Sequence, residues 1–204
     1  MVGFLARTLR DPRADNALRL ATAWGAGQTI DGLDALRHAI AVAHILGWHT
    51  PDAPPQVVAA CLLHAIPQWP MASEDVHALV EAHCGVEARM LLTALRDEQA
   101  VLAAPSDRAV EARVRLLRTM PWLATSTLAF KITALQRARG RAASGRDAEA
   151  ALRQGPSQDL HPLYLRQLQE LTAAVVPKRM SSTYSHLLDL LDQCVPATTA
   201  AASR

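Results

Sequence analysis

The sequence predicts an all-α protein. Apolar residues recur at spacings of three and four along almost the whole chain, and no stretch alternates convincingly with the period of two that a half-buried strand requires. Half of the 204 residues are hydrophobic but only 4% are aromatic, so the core must be built mainly from Leu, Ala and Val, a composition that favours helices. The length fits one domain, or one domain with an extension.

Punctuation divides the chain into helices. Asp15 or Asn16 caps a first helix through about Trp24, and Gly25–Gly27 ends it. A second runs from about Asp34 to Leu46, before the loop GWHTPDAPP, which is stiffened by Pro51, Pro54 and Pro55. Residues 56–66 form the third, stopped at Pro67, because proline lacks a backbone donor and clashes with the preceding turn. Ser73, Glu74 and Asp75 open the next, with acids where the helix dipole favours them, and it reaches about His83. Gly85 separates it from a helix at about 86–97. Ser106 starts another at 107–119, where Glu111 and Arg115 are spaced to pair across one turn. Pro121 sits in the first turn of the long segment 122–139. Gly140 to Gly145 reads as a loop, 147–153 as a short helix, and Gly155-Pro156 as a break. Helices near 160–175 and 179–193 close the bundle, and the tail 196–204 reads as disordered.

Composition excludes several function classes. A formal net charge of +2 is too small for a general affinity for nucleic acid or anionic membrane. The longest apolar run, AIAVAHILGW at 39–48, is about half of the ~20 residues a membrane span needs. Cys61, Cys84 and Cys194 are odd in number and widely spaced, which suggests neither a disulfide framework nor a structural zinc site; a reducing cytoplasm is the simplest home.

Chemistry is concentrated on two histidines. His38 lies in DALRHAIAVAHIL and His64 in AACLLHAIPQW, both on helices among small apolar residues, where an imidazole usually points inward. Taken alone, each reads as a core histidine bonded to a backbone carbonyl. The others are weaker candidates. His44 is six residues after His38, nearly opposite in helical phase; His49 falls in the Pro-rich loop; His77 and His83 read as surface; His161 and His186 lie far along the chain. Tyr184 reads as a packing residue at the end of a helix.

The stretches GQTIDGLDALRHAIAVAHIL, VVAACLLHAIPQ and LAFKITALQRAR, taken in order, resemble the HD-domain metal phosphohydrolases, most closely the branch that hydrolyses the alarmone ppGpp. That family carries a His in a helix after a Gly-Gln turn, a His-Asp pair ending an apolar helix, often with an acid shortly after, and a distant Asp in a Lys-Leu-Ala-Asp-like helix. The resemblance covers about residues 14–140. It implies an HD-like helical bundle over residues 1–176, with additional C-terminal helices of which the last, 177–195, packs on it.

Carried over residue by residue, the match keeps two imidazoles and loses every acid. His38 and His64 occupy the two histidine ligand positions, Ala65 stands for the paired Asp, Gln68 stands near the following acid, and Ala134 falls at the distant Asp. Lys131 is kept. A hard divalent ion wants oxygen ligands, and without carboxylates it would keep nearly its full charge in a low-dielectric site. The resemblance therefore implies a degenerate site with no metal and no cofactor, and an ordinary metal-dependent phosphohydrolase becomes the least favoured reading.

Two uses of such a site remain. In the first it is a pseudo-hydrolase whose cavity binds a small ligand, nucleotide-like or a metabolic intermediate, or a partner. Gln68, Trp69, Ala65 and Ala134 would line it, and Lys131, Arg137, Arg139 and Arg141 would lie near its mouth. In the second it is a metal-independent enzyme, with His38 and His64 as an acid–base pair for cyclisation, elimination or isomerisation of a small organic substrate, Gln68 as a neutral donor and Trp69 or Trp24 as an apolar wall. The amphipathic C-terminal helices leave room for a homodimer, although helices of this kind more often complete their own core.

Overall fold

The computed structural model describes residues 3–30, 32–103, 107–143, 168–169, 173 and 175–194, and over them the protein is all-α. The expected helix at 147–153, most of that at 160–175, the break at 155–156 and the tail 196–204 lie outside the described residues.

Helix α1 (Gly3–Thr8) precedes α2 (Pro12–Gly25). The cap of α2 is Asp11, not Asp15 or Asn16: its carboxylate accepts from the Arg13 amide at 2.9 Å and pairs with the Arg13 guanidinium at 2.7 Å. Pro12 then fits the first turn, where no amide donor is needed. A two-stranded ribbon, unexpected from the pattern, follows: β1 (Thr29–Ile30) runs antiparallel to β2 (Leu33–Asp34), with Thr29 opposite Asp34. Strands of two residues are too short to show alternation.

Asp34 caps α3 (Ala35–His49) by accepting from the Arg37 amide at 3.0 Å. The helix runs a turn past the expected Leu46, so His49 is its last residue and is buried, rather than part of the loop. Helix α4 (Pro55–His64) is apolar all round, as a central helix must be, and Val57–Leu63 are all buried. It packs against α2, α3, α6 and α8. Its last helical residue is His64, two before the end expected at residue 66.

Helix α5 (Ser73–Cys84) carries Glu74 and Asp75 in its first turn and ends at Gly85, whose φ of 94° is in the left-handed region that a side chain would strain. Helix α6 (Val86–Ala103) is longer than the expected 86–97. Helix α7 (Asp107–Thr119) leaves Glu111 and Arg115 exposed without the ion pair that their spacing offers, and buries Arg113 instead. Helix α8 (Pro121–Ala143) passes through Gly140, the expected start of a loop. One glycine costs a helix only about 1 kcal/mol, which a long packed helix absorbs. Helix α9 (Lys178–Cys194) packs on α8 and buries Tyr184 completely in its middle, not at its end. Among the described residues, no helix is long and apolar enough to cross a membrane.

Two close approaches position the site-bearing helices. Gly47 of α3 receives the ring of Phe4 from α1 so closely that any Cβ there would overlap it. Gln28, in the turn after α2, reaches across to the segment after α4. Its amide accepts from the Gln68 amide N–H at 2.9 Å and donates to the Gln68 carbonyl at 2.8 Å and to the Trp24 carbonyl at 2.6 Å.

Candidate functional site

His38 projects from the middle of α3 and His64 ends α4, and both rings lie against Phe130 of α8. The His64 ring meets Phe130 edge-on, at 4.6 Å between centroids and 83° between planes, and the His38 ring lies 6.3 Å from the same phenyl. The two rings thus share one neighbour on α8. Phe130, Ala134 and Arg137 are spaced four and three apart on α8, hence one face. That face is turned toward the histidines, because Phe130 touches both rings and the Arg137 charge acts on His38. His38 and His64 are therefore brought to one phenyl ring, Ala134 lies one turn along the same face of α8, and Ala65 follows directly as the C-cap of α4.

Both imidazoles are neutral at neutral pH. Burial, aided by the Arg137 charge, pushes His38 down to about 4. Burial pushes His64 well below the ordinary range, and the charges of Arg96, Lys131, Arg113 and His38 act in the same direction. The Nδ1 atoms of both rings are out of solvent reach and have no hydrogen-bond partner among the described residues. That is unusual for buried polar atoms, which are nearly always partnered.

Gln68 and Trp69 sit beyond the end of α4. The Gln68 backbone is clamped by Gln28 and its side chain is exposed. Trp69 is half-buried; the Arg96 guanidinium of α6 stacks over its indole at 4.0 Å, and His77 meets it edge-on at 5.7 Å. Arg96 also donates from Nη2 at 2.6 Å to the carbonyl of Ile66, in the segment just after α4. Trp24 is half-buried against the core.

Lys131 is not at a mouth. It is only 1% exposed, and its Nζ pairs with Glu98 of α6 at 3.2 Å. Arg113 approaches the same carboxylate at 3.8 Å and donates to the Ala94 carbonyl and, at 3.3 Å, to the Thr127 hydroxyl. A buried cluster of one acid and two cations thus adjoins the histidines. Arg139 is exposed. His44, His83 and His186 are exposed, and Cys84 is buried while its neighbour His83 is not, so the adjacent pair points apart.

Sequence reasoning missed Phe130, Arg96, Glu98 and Gln28. Phe130 had a usable signal, since it lies one turn before Ala134 in a stretch already singled out. Glu98 and Arg96, in ALRDEQA, look like any solvated helix face, and only the packing of α6 against α4 and α8 turns them inward.

The donor set does not fit a divalent metal. Two neutral imidazoles face a phenyl ring, positions 65 and 134 offer methyl groups, and among the described residues no group of three or more His, Cys, Asp or Glu side chains gathers to hold an ion. The cations around His64 add a further repulsion. No family model matches the sequence, and no curated protein and no solved structure matches it significantly.

Proposed function

We propose that the chain is a degenerate HD-like domain that uses the space between α3, α4 and α8 to bind a small ligand, nucleotide-like or a metabolic intermediate, and not to hydrolyse a phosphate ester with a metal. The observation that carries this reading is the convergence of His38 and His64 on Phe130 with both Nδ1 atoms unpartnered, beside an α8 face that bears Ala134. An unpaired buried polar atom costs about 1–3 kcal/mol, a cost that the polar atoms of a bound ligand would offset. Ala65 and Ala134 remove the carboxylates that a hydrolytic metal needs. Two buried thiols, Cys61 and Cys84, suit a reducing cytoplasm.

The same unpartnered nitrogens favour a second reading, a metal-independent proton-transfer enzyme. In it one neutral imidazole takes a proton from a bound substrate and returns it at another atom. Elemental analysis of protein purified without chelators comes first, with little metal expected; near-stoichiometric Mn, Fe or Zn would sink both readings. A screen of small metabolites with His38→Ala and His64→Ala then separates them. Binding that either substitution abolishes, without turnover, supports the binding domain. Turnover lost in either variant supports the enzyme.

A further inference from the structure

We infer that the ligand's polar end is an oxyanion, a carboxylate or a phosphate group, and that Arg96 is the residue that receives it. The inference rests on the small-ligand reading above and names the chemistry of the ligand.

The groups whose charge acts on His64 include Arg96, Lys131 and Arg113, all cations. Glu98 answers two of them, at 3.2 Å from Lys131 and 3.8 Å from Arg113. Arg96 has no carboxylate within ion-pair distance among the described residues. Burial lowers it to about 10, with no carboxylate holding it up. A partly buried cation without a counterion is costly, and structures usually supply one.

Geometry adds direction. The guanidinium is held in place by the Ile66 carbonyl and the Trp69 ring, so its fork is pre-organised. Its Nε is buried and unpartnered. The Trp69 indole Nε1, in the ring under the Arg96 guanidinium, and Nδ1 of both His64 and His38 are buried and unpartnered too. Arg96 and Trp69 are committed donors, and each imidazole can donate from the tautomer that places its proton on Nδ1. An acceptor-rich anion can take bonds from donors of this kind, Arg96 first, whereas a neutral apolar ligand would take none.

The test is calorimetric titration with sodium pyrophosphate, inorganic phosphate and malonate, at ionic strength held constant with chloride. Saturable binding by at least one is expected, and whether the phosphates or malonate bind more tightly tells which oxyanion the site prefers. Arg96→Gln should weaken it by about tenfold or more, the usual worth of a hydrogen bond to a charged group. Arg96→Lys, which keeps the charge and loses the fork, should fall between. Because Arg96 also holds the Ile66 carbonyl, melting curves accompany each variant. A readout in the unaltered protein stands beside them: the Trp69 indole N–H resonance should shift on saturation with the tightest anion. No shift there, or undiminished affinity in Arg96→Gln, overturns the inference. Adenosine, a neutral probe, separates the two levels. If it moves the His38 and Phe130 resonances while no anion binds, the oxyanion is refuted and the ligand pocket stands; if neither adenosine nor any anion moves them, both fall.

Discussion

Glu98→Gln is the substitution with the largest expected effect on stability. The carboxylate is 3% exposed and lies between Lys131, 1% exposed, and Arg113, 3% exposed. Removing its charge leaves two cations in a space that water does not reach. Breaking a buried pair in this way costs about 3–5 kcal/mol, mostly as the penalty of the uncompensated partner. The glutamine carbonyl can still accept from Lys131 at the present 3.2 Å, which places the expected loss toward the lower end of that range. For a chain of this length each kcal/mol moves the melting temperature by about 2–4 °C, so a fall of about 6–20 °C is expected. Urea denaturation followed by circular dichroism measures it, with the midpoint lowered and the slope unchanged. The double variant Glu98→Gln/Lys131→Met should recover at least half of the loss, because Arg113 keeps its bonds to the Ala94 carbonyl and the Thr127 hydroxyl. A loss below about 1 kcal/mol, the range of exposed pairs, would refute the reasoning. So would a double variant no more stable than the single one.

Three further outcomes follow from contacts described above. His38 sets a pH dependence: from about 6.5 downward the unfolded ring takes up a proton that the folded ring refuses until about 4, so the unfolded state binds more protons and stability falls with pH, by about 3 kcal/mol across that window. Comparing urea midpoints at about pH 7 and about pH 4.5 should show that His38→Leu loses less on acidification than the unaltered chain; an equal loss would contradict it. Gly47→Ala should displace Phe4 and cost about 1–3 kcal/mol, with amide exchange over α1 accelerated; unchanged exchange there would show that α1 is not held by this contact. Gln28→Ala removes three hydrogen bonds and should cost about 1–3 kcal/mol while exposing the Gln68 amide to exchange, which deuterium uptake at that position checks.

Helix starts were legible wherever a residue with one physical role marks them. Asp34, Ser73 with the acids at 74 and 75, and Pro121 each satisfy or suit an open helix end, and the helices begin at Ser73 and Pro121 and one residue after Asp34. Asp11 was passed over because it competes in the sequence with Asp15 and Asn16, and only its reach to the Arg13 amide decides among them. Gly140 misled in the other direction, because a local penalty was weighed without the packing of α8 that outweighs it. In the site, chain order sufficed to single out His38, His64 and Ala134 as candidates, and α3 and α4 carry the two imidazoles to one phenyl ring of α8. The inward turn of Lys131 was not legible. An isolated Lys in an apolar helix can serve a ligand at a rim or a carboxylate inside, and the choice belongs to Glu98, 33 residues earlier in the chain.

The clamp between Gln28 and Gln68 joins residues 40 apart and makes the chain between them a closed loop. Both histidines lie inside it, while the phenyl ring they share arrives from α8, far beyond. Loop-closure entropy grows only slowly with length, yet it still favours the nearer contact, so the imidazole-bearing half can assemble as a local unit and the wall opposite joins later. The site therefore has a seam in time as well as in space. Variants inside the loop should alter the speed of folding, and variants at Phe130 chiefly the speed of unfolding.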